Sequence, residues 1–477
     1  MNSKKLLFFL IALFFSYFIT NAQEDETDSF ELPEIGHSNE GIGGNINLTA
    51  IDKEMFFGTR LTPDISIGKL GFGLDIPLLI NLNDGKIRLD EYTDGIGPLR
   101  IIKYFRWGIK KRDNFYFRIG ELRDAQLGFG MLLSDYKNSI SFEKRKLGAE
   151  FDIVIKKQYG LELIYSDLNF SSFNLFAIRP YFKPFGSTEI PIIKTFEIGA
   201  GYVTDYDKTF LIKNDSLQLK NNYFLDKGIN SFSADMGFYI FNWKFLRWTV
   251  YAQAGYMNKV KSDSLKRYIN SINDVFINNY TNGMGWSIGS DFHFHILGNL
   301  LKINYRAERF WHSDYYIPRF YSFAYELNKD NHIKNLISAH QDKGMYMKLG
   351  ISILDKIVLH SNIIFPDRIN SLNRAEMYVG LDLSNLTDKL IFSTNLYQAN
   401  ISNIQNVFSL TDETLFETLI AWKVYELPVV RLQFIVGLDF KWTYALIQNK
   451  DFTAVPYYSP FFKINVPMKK DKEENKE

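Results

Sequence analysis

Gly283 to His312 reads GMGWSIGSDFHFHILGNLLKINYRAERFWH, and its alternation decides the fold. At period two, Trp286, Ile288, Phe292 and Phe294 fall on one side of an extended chain, and Ser287, Gly289, Asp291, His293 and His295 on the other. The turn Leu297-Gly298-Asn299-Leu300 reverses the direction, after which Leu301, Ile303, Tyr305, Ala307 and Trp311 oppose Lys302, Asn304, Arg306 and Glu308. One face is apolar and the other charged. A soluble sheet would leave the charged face in water and bury the other in a core, so the fold depends on what covers the apolar side.

Outward from this hairpin the pattern recurs. Leu432, Phe434, Val436, Leu438, Phe440 and Trp442 form an unbroken apolar row against Arg431, Gln433, Gly437, Asp439 and Lys441. Ala149, Phe151, Ile153 and Ile155 alternate with Glu150, Asp152, Val154 and Lys156, and Phe115, Phe117 and Ile119 with Tyr116, Arg118 and Gly120. Charges at every second residue are incompatible with the core of a sandwich. Further segments are expected at Met55 to Ser66, Lys69 to Asn81, Leu99 to Ile109, Leu127 to Asn138, Tyr159 to Leu168, Asn174 to Lys183, Thr195 to Asp207, Ile229 to Asn242 and Leu246 to Asn258. Beyond the hairpin come Gly344 to Leu354, Lys356 to Phe365, Ala375 to Ser384, Lys389 to Gln398, Thr414 to Tyr425 and Tyr457 to Val466.

Composition agrees. Aromatics make up 16% of the 477 residues, with 42 Phe and 28 Tyr, yet mean hydropathy is only -0.16, so apolar residues are spread thinly rather than gathered into long runs. Lys4 and Lys5, the apolar run Leu6 to Ile19 and the small residues before Gln23 read as a cleaved secretory signal over residues 1–22. The run is short of the ~20 residues of a spanning helix. There is no Cys, which excludes a lipidated cysteine at the cleavage point, disulfides and thiolate chemistry. Net charge is +1, or -1 once Lys4 and Lys5 are removed, and nothing global points to nucleic acid.

Short connections (Asp355-Lys356, Asn385 to Asp388, Glu426-Leu427-Pro428) interleave with long polar ones (Lys208 to Gly228, Lys259 to Asn282, His312 to Lys343, Ala399 to Glu413). Trp243, Trp248, Trp311, Trp422 and Trp442 stand near segment ends, where interfacial girdles would need them. Signal, alternating segments and alternating connections together resemble the outer-membrane β-barrel proteins of Gram-negative bacteria, of porin-like or uptake-channel type, over nearly the whole mature chain. The resemblance is architectural and identifies no subfamily. It implies an all-β fold: a single transmembrane antiparallel up-and-down barrel of about 16–20 strands, with 18–20 the best fit. The organisation expected is a signal peptide (1–22), an acidic flexible periplasmic lead-in (23–44), the barrel (45–467) and a charged tail (468–477) in an outer-membrane protein. Two features depart from the pattern. The chain ends in a charged tail rather than on an aromatic, and Leu82 to Pro98 is long where parity requires a short turn. Either an early strand is misassigned, with Leu99 to Ile109 the most open to question, or that turn is long.

The hairpin gathers the densest polar set, Asp291, His293, His295, Lys302, Asn304, Arg306 and Glu308, expected to line a hydrated lumen or, more sharply, a ligand or ion site on a permeation path. Two histidines two residues apart lack a defined third ligand, so neither a metal nor any cofactor is expected. Gly285-Trp286-Ser287-Ile288-Gly289 matches the G-x-S-x-G nucleophile pattern, but that motif needs a strand, an elbow and a helix, whereas here alternation runs straight through. An enzyme, such as a lipid hydrolase, is therefore the least favoured reading. The loop after Trp311 carries Tyr315, Tyr316, Arg319 and Tyr321 among other aromatics and is expected to pack on other loops, constrict the lumen, or stack on a sugar ring or apolar ligand. The function expected is a passive channel or uptake protein for small polar or amphipathic solutes. The alternative is a non-transporting structural barrel that binds an envelope-protein partner. Lipid is a partner in either case.

Overall fold

The computed structural model describes residues 41–467 apart from 52, 89–95, 112, 140–144, 170–172, 207–208, 211–219, 222, 244, 297–299, 328, 412, 428–430 and 447–451. The signal, most of the lead-in, the charged tail, most of the Leu297-Gly298-Asn299-Leu300 turn and Pro428 lie outside the described residues. The chain folds into one closed, antiparallel, up-and-down barrel of 20 strands. In order these are β1 (Gly41–Ile51), β2 (Glu54–Leu61, resuming as Asp64–Ile67), β3 (Leu70–Leu74, resuming as Ile76–Asn81), β4 (Ile102–Trp107) and β5 (Phe115–Gly120). Next are β6 (Gly148–Ile155), β7 (Tyr159–Tyr165), β8 (Phe176–Phe182), β9 (Glu197–Asp205) and β10 (Ile229–Asn242). They are followed by β11 (Leu246–Met257), β12 (Gly283–Ile296), β13 (Leu301–His312), β14 (Asp342–Ile353) and β15 (Ile357–Pro366). The last are β16 (Ala375–Asp382), β17 (Leu390–Ile401), β18 (Thr414–Leu427), β19 (Leu432–Leu446) and β20 (Phe452–Pro467).

Closure comes from β1 pairing with β20, Gly41 opposite Pro467 and Ile51 opposite Tyr457. Inside this seam Thr49 Oγ1 and Ser459 Oγ lie 2.9 Å apart. β2 breaks at Thr62-Pro63, where proline has no N–H to give the ladder, and β3 breaks at Asp75, whose carboxylate turns inward to Arg60 and Arg145. No described helix is long and apolar enough to cross a membrane.

Alternation is realised as read. β12 and β13 pair Asp291 with Arg306 and Phe292 with Tyr305. Ile288 is 56% exposed on the outer wall and the neighbouring Ser287 1% exposed on the inner. On β19, Val436 and Leu438 face out while Gln433, Ile435 and Thr443 are buried inside. Tryptophans mark both rims. Trp286 stacks on Trp311 at the long-loop rim (ring centroids 4.1 Å apart), where Trp442 Nε1 also donates to Thr411 O. Trp243, Trp248 and Trp422 lie toward the short-turn rim.

Two expectations are corrected. The first is a missed strand: β1 begins at Gly41, within the stretch assigned to the lead-in, where Gly41, Gly43 and Gly44 dilute the alternation; a β-carbon on Gly43 would come 2.8 Å from Asn465 Oδ1 of β20, and one on Gly44 2.9 Å from Leu61 Cδ2 of β2. The second is Leu127 to Asn138, which is no strand. It folds into the lumen. With 127–138 removed and β1 added, the parity conflict disappears: 82–101 joins β3 to β4 on the long-loop side, and Leu99 to Ile109 does contain a strand.

Candidate functional site

Two long connections enter the barrel, residues 121–147 between β5 and β6 and 313–341 between β13 and β14. They meet edge to edge: Arg319 N donates to Met131 O (2.9 Å), Tyr321 N to Leu132 O (3.0 Å), and Leu133 bridges Tyr321 in parallel register. Met131, Leu133, Tyr136, Tyr316, Phe320 and Tyr321 form the centre of a core that helix α1 (Asp263–Ser271) caps through Leu265 and Ile269. A further helix, α2 (Val275–Asn278), stands beside Tyr315, and α3 (Lys329–Ser338) closes the second connection. We call the two joined connections the plug.

Charged anchors fix the plug to the wall. Arg319 grips Glu308 of β13 with two bonds of 2.8 Å, and both side chains are 0% exposed. The same carboxylate accepts from Tyr251 Oη and Gln253 Nε2, each at 2.9 Å, and the guanidinium lies 3.6 Å from the Tyr346 ring centroid. Two ions out of water are costly unless every lone pair is used. Here the Glu308 oxygens have four donors. Asp135 accepts from Lys348 Nζ (2.7 Å) and Tyr346 Oη (2.8 Å). Burial alone would raise its carboxyl, but Lys348 and Tyr346 override that and hold it well below the usual carboxylate range. Arg319 and Asp135 both adopt left-handed backbone (φ 55° and 52°), unusual for non-glycine residues, and both use it to aim a charge at the wall. Tyr136 Oη and Lys146 Nζ converge on Glu326 (2.5 and 2.6 Å), and Tyr325 Oη and Lys329 Nζ on Asp205 (2.8 and 2.7 Å).

The expected polar set divides. Asp291, Arg306 and His293 come together: Arg306 Nη2 is 2.5 Å and His293 Nε2 3.3 Å from the Asp291 carboxylate. Arg306 Nη1 also reaches Gln126 Oε1 and Phe129 O (both 3.3 Å), so this cluster is a fourth anchor between plug and wall. Glu308 belongs to the Arg319 anchor. Lys302 pairs with Asp355 in the next short turn, away from the others (3.1 Å). Asn304 and His295 face inward in the rows toward the short-turn rim, opposite His293 and Lys302 respectively.

The aromatic loop residues are buried rather than presented. Tyr316 and Tyr321 are fully covered, Tyr321 Oη lies 3.0 Å from Ser231 Oγ, and Tyr315 Oη donates to Phe276 O. Their faces are therefore taken by protein, which corrects the stacking-platform expectation. The G-x-S-x-G match also acquires a packing cause. A β-carbon on Gly285 would come 2.6 Å from Tyr316 Cε1, and one on Gly289 would come 2.2 Å from Tyr251 Cζ, so both glycines are notches for inward rings. Ser287 lies mid-strand on β12 under Met131 Sδ (3.8 Å). Among the described residues no group of three His, Asp or Glu is placed to hold a metal ion.

Sequence reasoning missed Asp135, Glu326, Tyr346 and Lys348. A signal was present: Met131-Leu132-Leu133 is apolar on both faces, which a strand with one wet side cannot be. On the wall beside the plug, Tyr378 and Tyr397 stack at 4.3 Å, and the plug's Lys137 Nζ lies 3.8 Å from the Tyr397 ring. Two inward charges keep substantial water contact, Lys348 at 40% and Glu417 at 49% of their side chains, the latter held by Lys441 at 2.5 Å.

His332 of α3 titrates in the plug. Its ring lies among Phe320 and Tyr325 (5.7 and 5.8 Å), and burial drags its pKa down to about 4. With an unfolded value near 6.5, the packed state has its full stability above pH 6.5 and loses it as pH falls toward 4, because the detached loop binds the proton more readily; the loss reaches the order of 3 kcal/mol. Proteolysis within 313–341 is therefore expected to accelerate between pH 6.5 and 4. His332→Leu should flatten that rise, and a variant that tracks the wild type would refute the assignment.

No family model and no curated protein sequence matches this chain. Solved structures do. One is Wzi of Escherichia coli, described as an outer-membrane protein of group 1 capsule assembly and a carbohydrate-binding β-barrel (11% identity, 91% of this chain and 85% of that one, TM-score 0.32). Others are OccK2 (OpdF) of Pseudomonas aeruginosa in complex with glucuronate (8%, 91% and 100%, TM-score 0.31) and OccK3 (OpdO) of the same organism (10%, 90% and 95%, TM-score 0.31).

Proposed function

We propose that this chain is an exported outer-membrane channel or uptake protein for small polar or amphipathic solutes, with a lumen narrowed by the plug. The observation that carries the reading is the pair of water-accessible inward charges, Lys348 and Glu417, on the wall outside the buried core. A lumen filled throughout would have covered both. No residue is assigned a catalytic role, since Ser287 is buried under Met131 and held in a straight strand.

The test is conductance of the reconstituted full-length protein in planar bilayers under a KCl gradient. Discrete channels are expected, and Glu417→Gln should move the reversal potential toward anion preference by removing a lumen charge. Absence of conductance would overturn the reading. It would favour the second one, a non-transporting barrel that binds an envelope partner, which the fully buried Arg319–Glu308 anchor supports because it has the character of a static core.

A further inference from the structure

The wall is not equally tall all round. β4 and β5 have 6 residues each, β6 has 8, and β7 and β8 have 7 each. A tilted strand needs ~9–11 residues to cross the hydrocarbon core. β10 and β11, with 14 and 12, meet that need. The step between the two heights falls at β9, where Glu197 pairs with Gly237 while β10 continues to Asn242.

At this step the short-turn rim carries its one long connection among the described residues, 183–196. The segment lies along the rim. On one side Lys183 N donates to Gln158 O (2.6 Å) and Gln158 Nε2 to Ser187 Oγ (3.0 Å); on the other, Tyr239 N donates to Thr195 Oγ1 (2.9 Å). It leans outward. Glu197 turns into the lumen toward Arg179 (2.7 Å), so Phe196 before it faces out, and Phe185 packs on Phe196 with ring centroids 6.4 Å apart. Phe185, Ile190, Ile192 and Ile193 are all exposed, continuous with the outward Tyr159, Phe182 and Ile198.

We propose that residues 183–196 are an interfacial flange that inserts into the periplasmic leaflet, takes phospholipid as its partner, and completes the apolar band where the strands are too short to do so. Exposed apolar side chains in water are costly in proportion to their area, and here they adjoin the outer wall where its short strands meet the tall ones. The inference requires the barrel to stand in a bilayer and does not depend on conduction.

The chain has no cysteine, so single-cysteine variants report one position each. Ile190→Cys and Ile192→Cys, labelled with bimane and reconstituted in phosphatidylethanolamine–phosphatidylglycerol vesicles, should lose most of their fluorescence to nitroxide-bearing lipid and little to iodide. Val436→Cys on the outer wall of β19 serves as the lipid reference, and Ser271→Cys on α1 as the water reference. If Val436→Cys escapes the lipid quencher, the membrane reading itself fails. If Val436→Cys is quenched by lipid while both rim positions follow Ser271→Cys, the flange is overturned and the surface belongs to the aqueous side.

Discussion

Glu308→Ala is expected to release the plug, with a barrel that still forms. The substitution leaves the Arg319 guanidinium buried without a counter-ion and removes the acceptor of Tyr251 Oη and Gln253 Nε2. Breaking one side of a buried ion pair costs about 3–5 kcal/mol, because the surviving charge stays out of water. No other bond across the plug–wall boundary joins two fully covered charges in the same bidentate way among the described anchors. The variant should show trypsin cleavage within 313–341, larger or noisier conductance, and an unchanged shift in gel mobility between heated and unheated samples. Replacing both partners, Glu308→Leu with Arg319→Met, should restore much of the protease resistance, since two apolar groups leave no charge stranded. Wild-type proteolysis and conductance in Glu308→Ala would sink the anchor assignment.

Deletion of residues 41–51 should have the larger consequence: no folded barrel at all. β1 is hydrogen-bonded on both sides, to β20 and to β2, and its removal opens two edges at once. In hydrocarbon each unpaired N–H or C=O costs several kcal/mol with no water to compensate, which is why only closed barrels cross membranes as sheets. The heat-modifiable band of a folded barrel should vanish. Deletion of residues 23–40 is the matched control and should fold normally, since it leaves both ladders of β1 intact. A folded band from the 41–51 deletion would mean that β2 can pair directly with β20.

The wall was readable because one rule governs it everywhere: alternate residues face outward and inward, apolar against polar, so Leu432 to Trp442 or Trp286 to Phe294 announce their own orientation. The plug obeys no such rule. Its residues are set by partners distant in sequence, as where Asp135 meets Lys348 or Tyr136 meets Glu326. No local period encodes those meetings. Leu127 to Asn138 could imitate a strand because its Leu127, Phe129 and Met131 fall at every second position, with Gly128 and Gly130 between. Those glycines are instead in left-handed turns (φ 58° and 94°), where the chain bends inward. The hairpin's Asp291, Arg306 and Glu308 all turn toward the plug. Their division between separate anchors could not be foreseen, because Arg319 and Gln126 come from the connections and not from the strands.

The seam between β1 and β20 also orders events in time. Thr49 and Ser459 touch across 410 positions of sequence. Synthesis of the chain makes the first long before the second. β1 must wait with an unsatisfied edge until β20 is made, and the entropy of closing so long a loop falls on that final step. Ring closure should therefore be the slowest stage of assembly, with the edge of β1 left open until the far end of the chain arrives.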